Sequence, residues 1–204
     1  GKIEVPIYRT LYLNQLLNEI KGTKITKNVE YKELVSNLNK ESLEEEMNIS
    51  ENLESTLRYY QKTGFKWLKI LDRYKFGGIL ADDMGLGKTI QMLSIIVDYV
   101  SNYNKNAEKR KKKKEKRASL VISPSSLTLN WQNEARKFTS ELETLVIKGD
   151  AQERRKQLEQ VGKYDLVITS YELLKRDIEI YKEQGYKFRF VIADEAQYLK
   201  NSTT

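Results

Sequence analysis

From about Leu57 onward, short apolar runs recur along the chain: "FGGILA", "SLVIS", "LETLVI", "DLVIT" and "FRFVIAD". Segments with helical character separate them, such as Thr89 to Tyr99 and Leu127 to Phe138. Apolar strands alternating with helices predict an α/β domain around a buried, mostly parallel sheet. Upstream the rhythm differs. Tyr8, Leu11, Tyr12, Leu16, Leu17 and Ile20 fall at helical spacing, which predicts an amphipathic helix from about Tyr8 to Ile20. A second short helix is expected around Tyr31 to Leu38. "ESLEEEMNISEN" is acidic, lacks a long apolar face and reads as a linker. The pattern divides the chain into a small helical extension with its acidic linker, residues 1–50, and an α/β domain, residues 51–204.

Composition narrows the chemistry. The 204 residues include no cysteine and no histidine. That excludes disulfides, thiolate or imidazole metal sites and His-based triads, and leaves carboxylates, lysine, arginine, hydroxyls, amides and a bound ion. No apolar run approaches the roughly 20 residues of a membrane span. "GKIEVPIYRT" has no signal-peptide core, so a cytoplasmic chain with no membrane partner is expected. The net charge of +7 is local. "KNAEKRKKKKEKR", Lys105 to Arg117, holds nine basic and two acidic residues, so this run alone carries the excess. It reads as a solvated projecting loop; the alternative is an arm that grips phosphates.

"ILADDMGLGKTIQ", Ile79 to Gln91, ends like a phosphate-binding loop, although Asp82 stands where the G-x-x-x-x-G-K-[ST] pattern begins with glycine. The reading is a buried strand, Phe76 to Ala81, then a loop, then a helix from near Lys88. Gly85 and Gly87 would let backbone N–H groups turn inward, toward the positive end of the helix. Lys88 can reach the β- and γ-phosphates, and the Thr89 hydroxyl can ligate Mg²⁺. Such a site wants a metal-holding acid at the end of another strand. "FVIADEAQ" offers Asp194 for the Mg²⁺ shell and Glu195 to orient or deprotonate the attacking water.

"DDMGLGKT" and "DEAQYLKN" resemble the Swi/Snf-type family of helicase-like ATPases of superfamily two, in its bacterial branch, over about Leu57 to the end. The resemblance implies a RecA-like P-loop lobe that uses ATP and Mg²⁺. An acidic residue at the Asp82 position is common there, and Asp82, Met84, Gly85, Leu86, Gly87, Lys88 and Thr89 would surround the phosphates. "LRYYQKTGFKWL" resembles the adenine-side motif, with Gln61 on the base edge and Arg58 nearby, on a helix whose core face is Leu57, Tyr60, Phe65, Trp67 and Leu68. "VISPSSLTLNWQNEARKF" resembles a motif lying on one DNA strand, in which Ser123, Ser125 and Ser126 face phosphates. Trp131 reads as apolar packing in preference to base stacking. "ITSYELL" resembles a second backbone contact, with Thr169 and Ser170 facing phosphate and Tyr171 packed beneath. Gln197 stands where many superfamily-two proteins have histidine and would couple nucleotide state to the next strand.

The resemblance implies an ATP-dependent double-stranded-DNA translocase, nucleoid-associated in a bacterium, that remodels protein–DNA complexes without separating strands. A nucleotide-sensing, DNA-binding scaffold and an RNA helicase motor are the rival readings. The family's motor needs a second RecA-like lobe, so these residues are expected to belong to a longer protein and to be inactive alone. It also places a further strand between "FGGILA" and "FVIAD", without which each would show an unpaired edge.

Overall fold

The computed structural model describes residues 26–33, 51–83, 85–107, 117–139 and 142–199. The helix expected at Tyr8 to Ile20, the end of the second expected helix and most of the acidic linker lie outside them. The chain packs as two compact units, one ending at Leu86 and one beginning at Gly87. Among the described residues no helix is long and apolar enough to cross a membrane.

In the first unit residues 29–33 are helical, and Asn28 accepts a hydrogen bond from the Tyr31 backbone N–H at 3.0 Å, as a helix-capping residue does. Helices α1 (Glu51–Thr56) and α2 (Tyr59–Tyr74) follow. The buried stripe of α2 is Gln61, Phe65 and Leu68, at the i, i+4, i+7 spacing of one helix face. This corrects the expected core face. Tyr60 and Trp67 sit one residue, about 100°, off that stripe and are partly exposed. Lys75 ends α2 in the left-handed conformation, φ 60°.

The expected strand from Phe76 to Ala81 does not form. Residues 76–83 have no regular secondary structure, and Ile79 is 85% exposed. The physical reason is the missing neighbour. A strand exists by its inter-strand hydrogen bonds, and among the described residues none is paired with this segment. It lies against α2 instead. A Cβ built on Gly78 would fall 2.3 Å from Leu71 Cδ1 and 2.8 Å from Trp67 Cη2, so only glycine fits that approach unaltered.

The second unit is the expected α/β layer structure. Its strands are β1 (Ser119–Ser123), β2 (Thr144–Val146), β3 (Leu166–Ser170) and β4 (Val191–Ala193), all parallel, in the order β2-β3-β1-β4. Four of the five apolar runs are therefore strands. Its helices are α3 (Lys88–Ala107), α4 (Thr128–Phe138), α5 (Ala151–Leu158) and α6 (Tyr171–Gln184). Strands β1 and β3 are buried throughout, which is why their sequences are apolar without alternation. Leu120, Ile122 and Val167 share a core with Ile147, Leu158 and Tyr181. Among the described residues strand β4 pairs with β1 alone, and Val191 is 62% exposed. Helix α3 continues to Ala107, so the first three residues of the basic run are helical; residues 108–116 lie outside the described set.

Asp150 caps α5 by accepting from the N–H groups of Gln152 and Glu153, while Glu153 accepts from the Asp150 N–H, all at 2.9 Å. One turn on, Arg154 is buried and forks onto Asp177 of α6 at 2.7 and 2.8 Å, with a third bond to the Gly149 carbonyl at 2.9 Å. Removing one partner would strand a buried charge. Asp177→Ala should therefore lower unfolding free energy by about 3–5 kcal/mol, whereas a well-packed Arg154→Met/Asp177→Leu pair should be much closer to wild type. Chemical denaturation of both variants measures the difference. Burial also pushes the Tyr181 hydroxyl well above its ordinary value, and those of Tyr171 and Tyr186 upward. The unfolded chain thus loses these protons first, so their contribution is full below pH ~10 and falls as pH rises beyond it. Tyr181→Phe should flatten that alkaline decline in a pH series of melting temperatures.

Candidate active site

A parallel sheet brings the carboxyl ends of its strands to one edge. Ser123 pairs with Ser170, and Ile122 with Ala193, so Asp194 leaves the sheet level with Ser123. The Asp194 N–H donates to the Ile122 carbonyl at 2.8 Å and carries the ladder one residue past β4. Three further bonds hold this residue. Tyr171 Oη donates to its carbonyl at 2.8 Å, Trp131 Nε1 donates to Oδ2 at 2.8 Å, and the Glu195 N–H donates to Oδ1 at 3.0 Å. Burial raises the Tyr171 hydroxyl above its usual value, and the negative charges of Asp194 and Glu195 add to the shift. Tyr171 therefore remains a donor, and its ring stacks on Tyr198 with centroids 6.1 Å apart.

Trp131 is packed as expected, at 2% exposure. Its polar contact was missed by sequence reasoning. The available signal was general: a buried indole N–H requires an acceptor, and only the tertiary fold says which one. Glu195 adopts φ 52°, a left-handed conformation unfavourable for a residue with a Cβ. The Gln197 amide donates to Glu195 Oε2, so the two residues assigned to water activation and coupling are in direct contact.

The division of the chain into units falls within the phosphate loop, between Leu86 and Gly87. In the first, Asp82 is half-buried, Gly85 is exposed with φ 85°, and the Leu86 N–H lies 3.4 Å from the Asp83 carbonyl; Met84 is outside the described residues. A Cβ at Gly85 would meet nothing within 4 Å, so the requirement for glycine there is the backbone angle. In the second unit Gly87 has φ 72° and accepts from the Gln91 N–H, and Lys88 and Thr89 open α3. Gln61 is buried at 7% exposure. Its Oε1 accepts from the N–H of exposed Arg58 at 3.0 Å, and its Nε2 donates to the Leu86 carbonyl at 3.2 Å. One lone pair and one N–H of that amide remain for a base edge.

The serines and threonine assigned to DNA divide. Ser125 and Ser126 are exposed on a 3₁₀ turn after Pro124. The other three side chains do not face solvent, which corrects their expected orientation. Ser123 and Thr169 are fully buried, and Ser170 Oγ caps α6 by accepting from the Leu173 N–H at 3.2 Å. Consecutive strand side chains alternate faces and both faces of this sheet are covered, so a strand-end hydroxyl is not an exposed one.

No trio of acidic side chains that could cage a metal exists among the described residues. The donor chemistry nevertheless fits Mg²⁺, which takes one or two protein oxygens and completes its shell with water and phosphate. Each Asp194 carboxylate oxygen accepts one hydrogen bond, from Trp131 or from the Glu195 N–H, and keeps a lone pair for such an ion.

A parallel sheet with an acidic pair at its carboxyl edge and a Gly-Lys-Thr helix start in one chain defines a class, the P-loop ATPases. Comparison with known proteins sets the family. The model of the SNF2-related domain matches residues 60–204, and the chain belongs to that family. It is 37% identical over 150 residues to an uncharacterised ATP-dependent helicase of Mycoplasma pneumoniae, covering 74% of this chain and 13% of that protein. It is 40% identical over 158 residues to the ATP-dependent helicase FUN30 of Saccharomyces cerevisiae, covering 74% and 13%. Human TATA-binding protein-associated factor 172 is 36% identical over 155 residues, covering 74% and 8%. The Sulfolobus solfataricus SWI2/SNF2 ATPase core, solved in complex with double-stranded DNA, superposes with a TM-score of 0.60 at 35% identity, covering 78% of this chain and 30% of that one. The chain thus spans a small fraction of the relatives it matches.

The strain at Glu195 has a measurable consequence. Glu195→Gly should leave stability unchanged or raise it by up to about 1 kcal/mol, since glycine tolerates the left-handed angle. Glu195→Val should lower it by about 1–2 kcal/mol, because a β-branched residue is most restricted there. Denaturant midpoints of the two variants give the comparison.

Proposed function

We propose that this chain provides the ATP-binding lobe of an ATP-dependent double-stranded-DNA translocase that remodels protein–DNA complexes, with the helical extension and acidic linker, residues 1–50, ahead of the lobe. The observation that carries the proposal is the fixed acidic strand end: Asp194 held through backbone and side chain, with Glu195 beside it and contacted by Gln197. A purely structural turn has no need for a strained, acidic residue at that place. The membership of the SNF2-related family supports the same reading, as does the likeness to an ATPase core solved with double-stranded DNA.

In this mechanism ATP is the substrate. Gly85 and Gly87 shape the loop, Lys88 neutralises charge on the transferring phosphate, and Thr89 and Asp194 would hold Mg²⁺. That ion, when bound, would offset the negative charge that develops on the transferring phosphate. Glu195 accepts the proton of the attacking water or orients it, and Gln197 holds the Glu195 carboxylate in place. Gln61 and Arg58 take the adenine side. Ser125 and Ser126 contact the DNA backbone through exposed hydroxyls and N–H groups, while Ser123, Thr169 and Ser170 shape those loops from within. A second RecA-like lobe supplies the remaining catalytic contacts.

In the full-length protein, Lys88→Ala should abolish ATP binding or turnover, because charge at the transferring phosphate contributes several kcal/mol. Glu195→Gln should keep nucleotide affinity and stop hydrolysis. Steady-state turnover with blunt duplex DNA, single-stranded DNA and RNA, beside nucleotide-binding titrations, checks both variants and the substrate class. Stimulation by RNA alone would favour the RNA motor, and ATP binding without turnover would favour the scaffold.

A further inference from the structure

Two aromatic donors grip Asp194, and each lies in the first turn of a helix directly behind a loop assigned to DNA. Trp131 is the fourth residue of α4, which follows the turn Ser125–Leu127. Its indole holds the Asp194 side chain at 2.8 Å and is almost completely buried. Tyr171 is the first residue of α6, directly after Thr169 and Ser170, and its hydroxyl holds the Asp194 backbone at 2.8 Å. Phenylalanine at either position would bury a similar ring without a donor, so packing alone does not account for both choices.

The mechanical consequence follows from the rigidity of the parts. An indole has two side-chain torsions, and this one is fixed by burial on a helix whose first turn is continuous with the Pro124–Leu127 loop. Thr128 Oγ1 ties α4 to that loop by donating to the Ser125 carbonyl at 3.0 Å. A displacement of the loop therefore moves the base of α4 and the indole with it. A hydrogen bond weakens steeply once its donor–hydrogen–acceptor angle closes toward about 120°, so a tilt of α4 would release the Asp194 Oδ2 lone pair that the indole holds. Tyr171 keeps the backbone of Asp194 still while this happens, which turns a loop shift into a carboxylate reorientation.

We propose that Trp131 is a positioning residue that couples engagement of the Ser123–Leu127 loop by duplex DNA to the metal-binding geometry of Asp194, and thereby sets how strongly DNA stimulates ATP hydrolysis. Tyr171 is the fixed point of this coupling. The proposal rests on the translocase reading above. Because coupling between two binding events is reciprocal, it has an equilibrium signature independent of turnover.

The test uses the full-length protein loaded with ADP, with Mn²⁺ as the metal probe and electron paramagnetic resonance as the readout, with and without a blunt DNA duplex. In the wild-type protein duplex DNA should change the Mn²⁺ affinity by at least about fivefold, the lower range of such couplings. In Trp131→Phe that change should vanish and the ratio of DNA-stimulated to DNA-free turnover should fall by a similar factor. Nucleotide-free duplex affinity should stay within about twofold, because the indole is buried away from the exposed loop. Retention of the Mn²⁺ shift and the stimulation ratio by Trp131→Phe would overturn the proposal. So would an equal loss of turnover with and without DNA, the mark of a merely structural residue. If Trp131→Phe does not melt cooperatively, Tyr171→Phe decides: it should diminish the same Mn²⁺ shift, and an undiminished shift counts against the coupling. Failure of the translocase reading looks different, since the wild-type protein itself would then bind no duplex or turn over no ATP.

Discussion

Strand β1 is the constraint on which the second unit depends. It is hydrogen-bonded on both sides, to β3 and to β4, and all five of its residues are buried. Its register with them fixes where three of the four carboxyl-edge loops among the described residues begin. Through the parallel register, Ser123, Ser170 and Asp194 emerge at one level from three adjacent strands. The ladder also extends past the strands proper, because the Ile122 carbonyl takes the N–H of Asp194. A candidate site acid at a strand end needs its backbone anchored, and for Asp194 β1 provides the anchor.

Around that anchor, polar satisfaction and the candidate site coincide. Trp131 and Tyr171 are largely apolar side chains whose single polar groups must find acceptors once packed. Both find Asp194. The same demand acts elsewhere: Arg154 and Asp177 neutralise each other between α5 and α6, and Gln61 spans the start of α2 and the Leu86 carbonyl. The two contacts to Asp194 make the difference between a sheet with helices on it and one with a defined candidate site at its edge. Glu195 carries the cost of that definition in its left-handed backbone.

The contrast between β4 and residues 76–83 shows how far local pattern reaches. "FRFVIAD" and "FGGILA" are equally apolar runs, yet one is a strand and the other is not. Strand β4 has β1 beside it; Phe76 to Ala81 has no paired neighbour among the described residues. The same limit explains the serines and the threonine. Their type and spacing match a backbone-contacting motif, but whether a hydroxyl meets solvent depends on which sheet face it occupies and what covers that face. Ser125 and Ser126 are exposed, whereas Ser123 and Thr169 are interior.

What the sequence by itself determined is the class and its chemistry. Apolar runs alternating with helical segments specify a parallel α/β sheet because burial on both faces removes polar alternation. Gly85, Gly87, Lys88, Thr89, Asp194 and Glu195 stand out as the candidate site because phosphate and metal chemistry favour those residue types at helix and strand ends. What only the tertiary structure decided is which groups meet across long sequence distances. Trp131 reaching Asp194, Gln61 bonding to Leu86 and Arg154 forking onto Asp177 have no local signature. A hydrogen bond is directional and short-ranged, so its partner is chosen by where the packed elements place each donor, and that placement is a property of the whole fold.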